Sequence, residues 1–155
     1  MKKIILMCVI VISGSLITKV SAQVRVSINI GSQPTWGPTG YDHVDYYYMP
    51  DMDMYYYVPK HQYIYMQGGQ WRFSSVLPRR YSNFDFNTGY KVVVNEPRPY
   101  NRAAYYRTKY ASYKGNHDQQ IIRNSHEEKY WQIKDHPDHD KWKNNHNKNN
   151  NNGHH

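Results

Sequence analysis

The most regular alternation in the chain runs from Val24 to Ile30, where Val24, Val26, Ile28 and Ile30 interleave with Arg25, Ser27 and Asn29. A period of two predicts a half-buried strand. Residues 31–40 (GSQPTWGPTG) are glycine- and proline-rich around Trp36 and read as a connecting loop. Tyr46-Tyr47-Tyr48-Met49-Pro50 then recurs nine residues on as Tyr55-Tyr56-Tyr57-Val58-Pro59. Each copy predicts a short strand ended by a proline, which has no N–H to give to a sheet ladder. Pro50-Asp51-Met52-Asp53 between them predicts a turn, so the copies form the arms of a hairpin. A second hairpin is predicted from Gln62–Met66, a turn at Gln67-Gly68-Gly69-Gln70, and Trp71–Ser75. Asn87-Thr88-Gly89 turns the chain into Tyr90–Val94, a run of strong β propensity that Glu96-Pro97-Arg98-Pro99 stops. About six short strands within residues 24–95 predict a mainly β fold, a small antiparallel meander or partly closed barrel.

The pattern changes after this module, which spans residues 23–96. Residues 97–116 form a basic aromatic linker, in which 97–114 lacks acidic groups and mixes five Lys/Arg with five Tyr. Helix and extended chain both fit it, with Asn101 before Ala103-Ala104 permitting a short helix. Residues 117–134 predict an exposed helix with a capping-box pattern at Ser125-His126-Glu127-Glu128. From residue 135 to 155 the chain is Asn-, Lys- and His-rich, and disorder is expected because this composition does not offset the entropy of ordering.

The first 22 residues add a compartment. Lys2 and Lys3 precede an apolar run from Ile4 to Ile17, and Val20-Ser21-Ala22 places small residues before Gln23. This is the layout of a signal peptide cleaved near Ala22-Gln23, too short to span a bilayer. The chain after Ala22 is therefore expected to be exported, periplasmic or extracellular, without a transmembrane segment. Cys8, the single cysteine, lies in that leader, so the rest of the chain has no thiol for a disulfide, a thiolate metal site or a nucleophile.

Composition then singles out tyrosine, with 17 in the chain, nine of them from Tyr41 to Tyr65. Large rings bury roughly 150–250 Å² each and compensate a small module for the lack of disulfides. The alternative is an exposed stacking surface, including Trp36 or Trp71, as in a carbohydrate-binding module. Charge is segregated: residues 23–59 carry one basic and four acidic groups, residues 60–115 ten and two, and residues 116–155 six of each.

No catalytic motif stands out, and a non-enzymatic protein is expected. His126-Glu127-Glu128-Lys129-Tyr130 falls short of a zinc-protease helix because Tyr130 stands where the second histidine is required. Arg98, Arg102, Arg107, Lys109 and Lys114, interleaved with tyrosines, form a candidate polyanion-binding set. An exported protein meets anionic lipid, polysaccharide or another envelope protein before it meets nucleic acid. His136, Asp138, His139, His146, His154 and His155 form a second candidate, for labile zinc, nickel or copper. Pro137 denies them a regular helical spacing, and no resident cofactor is expected.

Several ordered motifs resemble a known group. Gln33-Pro34-Thr35-Trp36-Gly37-Pro38, the two Tyr-Tyr-Tyr-x-Pro copies, Gly69-Gln70-Trp71, Leu77-Pro78 and Gly89-Tyr90-Lys91-Val92-Val93 are similar to small exported Tyr-rich proteins of Gram-negative bacteria. The resemblance covers about residues 23–100. It implies export and one small Tyr-rich fold, and brings no catalytic residues. The expected role is structural or adhesive within the envelope, with metal binding and carbohydrate binding as alternatives.

Overall fold

The computed structural model describes residues 28–151. The leader and most of the Val24–Ile30 strand expected from alternation lie outside them. The described end of that segment is not strand, because Ile30 opens a 3-10 turn that closes at Ser32.

Five strands form one antiparallel sheet. The two Tyr-Tyr-Tyr copies are β1 (Tyr46–Met49) and β2 (Met54–Tyr57), paired with Tyr46 opposite Tyr57 and Tyr48 opposite Tyr55. Asp53 takes φ 47° in the turn between them, a left-handed position that Asp tolerates. β3 (Gln62–Gln67) and β4 (Gln70–Ser74) follow as a hairpin. Gly68 and Gly69 both have positive φ, as its two-residue loop requires. β5 (Val92–Val94) returns along the other side of β1, giving the order β4-β3-β2-β1-β5. The sheet is an open meander with one returning strand. β4 and β5 are its edges, and it does not close into a barrel.

The tyrosine runs do not alternate because the sheet is covered on both faces, which removes the solvent side that alternation reports. On one face Tyr47, Met49, Met54 and Tyr56 pack with Val44, Met52 and Val58 under Trp36, Leu77, Tyr81, Phe84 and Phe86. On the other, Tyr46, Tyr48, Tyr55 and Ile64 pack under Tyr100, Tyr106 and Tyr110. Those three rings come from the linker. It forms a 3-10 turn at Pro99–Arg102 and helix α1 (Ala103–Lys109), settling its conformation as helical. Ala103, Tyr106 and Tyr110 share the buried side of α1, at helical spacing.

Residues 117–134 differ from the expected helix. Adjacent Ile121 and Ile122 are both buried, and their segment pairs with another loop instead of with itself. The backbone runs beside the 35–39 loop, bonding Ile122 N–H to Gly37 O (2.8 Å) and Arg123 N–H to Thr35 O (2.7 Å). Only Glu128–Trp131 is α-helical (α2). Ser125 Oγ accepts from the Glu127 N–H, one residue short of a capping box. Ile30, Ile122, Tyr130 and Ile133 make a third cluster, and the Gly40 N–H donates to Tyr130 Oη at 2.7 Å. Beyond it, where composition predicts disorder, His139–Asn151 is helical (α3). Trp142 holds its first turns, lying against His139 and His146 at 5.7 and 4.3 Å between ring centroids.

The hydroxyls of the buried rings discriminate between substitutions. Tyr47 Oη donates to Gln33 Oε1 (3.0 Å), whereas Tyr55 Oη is buried without a partner. Tyr47→Phe is expected to cost about 1–2 kcal/mol by orphaning the buried Gln33 oxygen. Tyr55→Phe is expected to be neutral or stabilising, by up to about 1 kcal/mol, because it removes an unsatisfied polar group. Urea denaturation of both variants checks the pair.

Candidate functional site

The five basic residues from Arg98 to Lys114 come together around α1, but they do not play one role. Arg107 is turned back onto the sheet. Its Nε and one terminal nitrogen bond the same Asp53 oxygen at 3.0 and 2.6 Å. The other Asp53 oxygen accepts from Tyr48 Oη at 3.1 Å. Gly115 N–H donates to Asp51 Oδ1 at 2.8 Å, so both turn carboxylates hold the linker. Arg107 is therefore a clamp between α1 and the β1–β2 turn.

The other four point outward. Arg102 pairs with Glu96 at 2.7 Å and places its guanidinium 4.7 Å from the centre of the Tyr105 ring. Lys109 lies 5.3 Å from the same ring and 5.2 Å from that of Tyr110. Arg102, Tyr105 and Lys109 thus form a cation–ring–cation stripe at i, i+3 and i+7 along α1. Tyr105 is 44% exposed, unlike the rings beneath the helix. Arg98 precedes the stripe and Lys114 follows it, both exposed and neither in an ion pair among the described residues.

Among the described residues, the histidines expected to form a cluster in the tail do not come together. His136 is buried at 4% exposure, with Nε2 facing Ile122 O at 3.2 Å and Nδ1 accepting from the Asp138 N–H at 3.0 Å. Both ring nitrogens are committed, which makes it a core histidine. His139 Nδ1 bonds Trp131 O and His146 Nδ1 bonds Trp142 O, both at 2.9 Å. Asp138 pairs with Lys141 at 2.6 Å, and that contact holds its carboxyl below the usual range. No group of three metal-ligating side chains occurs among the described residues. His154 and His155 lie outside them.

Most of the rings expected to offer a stacking surface are covered. Tyr46, Tyr47, Tyr48, Tyr55 and Tyr56 are buried, and Tyr57, Tyr63 and Tyr65 are half-buried. Trp36 packs against Tyr47, Tyr56 and Phe86, and Trp71 against Tyr55 and Tyr100. Burial pushes the phenols of Tyr47, Tyr48 and Tyr55 well up, and that of Tyr56 up to about 12.

Sequence reasoning missed one residue, Lys91. It is 1% exposed, and its Nζ donates to Phe86 O at 2.7 Å. Gln119 acts as a substitute strand beside it, accepting from the Lys91 N–H (2.9 Å) and donating to its carbonyl (2.8 Å). The signal was there in part, as a lone lysine between Tyr90 and three valines. Desolvation lowers its pKa to about 8, against the nearby Asp85 carboxylate, which raises it.

No family model matches the chain, and no curated protein or solved structure matches it either.

Lys91 makes stability depend on pH in a definite direction. Below about pH 8 the folded chain holds a buried ammonium. Above it the folded Lys91 sheds its proton, while the unfolded lysine keeps one up to its ordinary 10.5. At Lys91 the unfolded state then binds more protons, so this residue is expected to raise stability as pH climbs from about 8 to about 9, before the buried phenols, held above their ordinary 10.0, begin to oppose it. Lys91→Met is expected to flatten that rise, as read by melting temperature across the same range.

Proposed function

We propose that the protein is an exported, non-enzymatic envelope protein that adheres to anionic envelope material through the exposed side of α1. The observation that carries this reading is the Arg102–Tyr105–Lys109 stripe, flanked by Arg98 and Lys114. Exposed cations beside exposed rings offer an anionic polymer or lipid headgroup both charge and an amphipathic face to lie on. Arg107 supports the role indirectly, because its bond to Asp53 keeps the helix in place while its neighbours remain outside.

The compartment is supported by the leader pattern of residues 1–22 and by the ordered motifs that resemble small exported proteins. No helix among the described residues is long and apolar enough to cross a membrane. Each outward cation near an anionic surface contributes about 1 kcal/mol, so the contact is weak and sensitive to salt.

The test is binding to vesicles containing anionic lipid and to an immobilised acidic polysaccharide, at low and high salt. The triple variant Arg102→Gln/Lys109→Gln/Lys114→Gln is expected to weaken binding by about fivefold per charge removed. Arg107 is left intact because it holds the fold. Binding that persists unchanged in high salt, or in the triple variant, contradicts the reading. Fractionation of cells with crosslinking reports the compartment and the neighbours, and intact precursor in the cytosol contradicts export.

A further inference from the structure

Helix α1 covers only part of the sheet face it packs on. The ring of Tyr106 meets Tyr48 and Tyr55, which face each other across β1 and β2. The next cross-strand row, Tyr46, Tyr57 and Gln62, has no ring contact from α1. Here the surface sinks into a groove of about 340 Å³, within the range of small-ligand sites. Tyr57, Gln62, Phe73 and Tyr100 line it, together with Lys60 and Arg98. Phe73 is 52% exposed and meets Tyr100 in a T-shaped contact at 5.5 Å between ring centroids.

The charge of the groove is one-sided. No Asp or Glu lines it, and neither Lys60 nor Arg98 takes part in an ion pair among the described residues. The segregation of charge along the chain thus leaves two cations without an ion pair at an aromatic-lined groove. Arg98 is also held at φ 50°, between Pro97 and Pro99, in a left-handed conformation that side-chain-bearing residues rarely adopt. Such strain at an exposed arginine is a feature of positions that serve a site.

We propose that this groove binds an acidic saccharide, a hexuronate unit within an anionic polysaccharide. This rests on the polyanion reading above and narrows it to one ligand class and one place. The apolar face of a pyranose ring lies on Phe73 and Tyr57, where an aromatic surface takes an amphipathic ligand. The Gln62 amide and the Tyr100 hydroxyl meet sugar hydroxyls. Lys60 and Arg98 take the carboxylate in charge-assisted bonds. A concave site of this size admits a sugar ring, whereas a flat bilayer surface does not enter it.

Calorimetric titration of the purified protein with hexagalacturonate tests the proposal, with maltohexaose and polyglutamate as controls. The first control keeps the pyranose faces without charge; the second keeps the charge without pyranose. Hexagalacturonate is expected to bind at least about tenfold more tightly than either. Lys60→Gln/Arg98→Gln and, separately, Phe73→Ala are each expected to weaken it by about tenfold or more, with the melting temperature kept. Phe73 lies on an edge strand and is half exposed, so its variant keeps the fold even if Arg98 proves structural. Equal binding of polyglutamate, no binding of hexagalacturonate, or indifference to Phe73→Ala overturns the proposal. Loss of binding in the α1 triple variant with the groove variants unaffected places the polyanion on the helix instead. Vesicle binding that survives the groove variants leaves the adhesive reading standing while this one falls.

Discussion

Burying a tyrosine ring leaves its hydroxyl to be satisfied, and this constraint shapes the molecule. The β1–β2 hairpin places six tyrosines side by side on two faces, and each face needs a lid; the hydroxyls of Tyr47, Tyr48 and Tyr56 also find partners, whereas that of Tyr55 stays buried without one. One partner lies in an earlier loop, and two lie close by in the hairpin turn and just after β2. Tyr47 reaches Gln33 in the first loop, Tyr48 reaches Asp53, and Tyr56 pairs with His61 at 3.1 Å. Tyr81 Oη donates to Met52 O at 2.9 Å and brings the lid over one face. Gly37 shows how tight the packing is, since a Cβ there meets Tyr47 Oη at 2.5 Å. A side chain at that position pushes the phenol off Gln33.

The same demand organises the charges. The acidic turn of the hairpin and the basic linker are separate in sequence and dock in space through Arg107 on Asp53 and Gly115 on Asp51. Exposed ion pairs of this kind contribute little, about 0–1 kcal/mol. Their effect is positional. They fix α1 over Tyr48 and Tyr55, so the remaining cations face outward, and the uncovered end of the sheet keeps its groove. Function in this reading is a by-product of how the rings are roofed.

Much of the sheet was legible in the sequence because turn chemistry is local. Pro50 to Asp53 and Gly68-Gly69 mark the loops directly, and the repeated Tyr-Tyr-Tyr arms mark the strands between them. Where tertiary contact decides, legibility fails. Residues 117–134 have helix signals, yet Ile121 and Ile122 are drawn to the 35–39 loop and Tyr130 to Gly40. His136 looks like a metal ligand in sequence and is a buried structural residue in space. The basic linker was visible as a binding candidate, but its division into a clamp, an exposed stripe and a groove edge depends on Asp53, Glu96 and Phe73. No sequence spacing connects those residues.

Spectrophotometric titration of the phenols reads the central claim most directly. Eight of the phenols are expected to titrate late, past the pH of about 10 at which a free phenol ionises. Tyr46, Tyr47, Tyr48, Tyr55, Tyr56, Tyr63, Tyr90 and Tyr106, all shifted upward chiefly by desolvation, stay protonated past that point. They then ionise together as the chain unfolds. A single transition near pH 10 that includes every phenol, with the fold intact, contradicts the account.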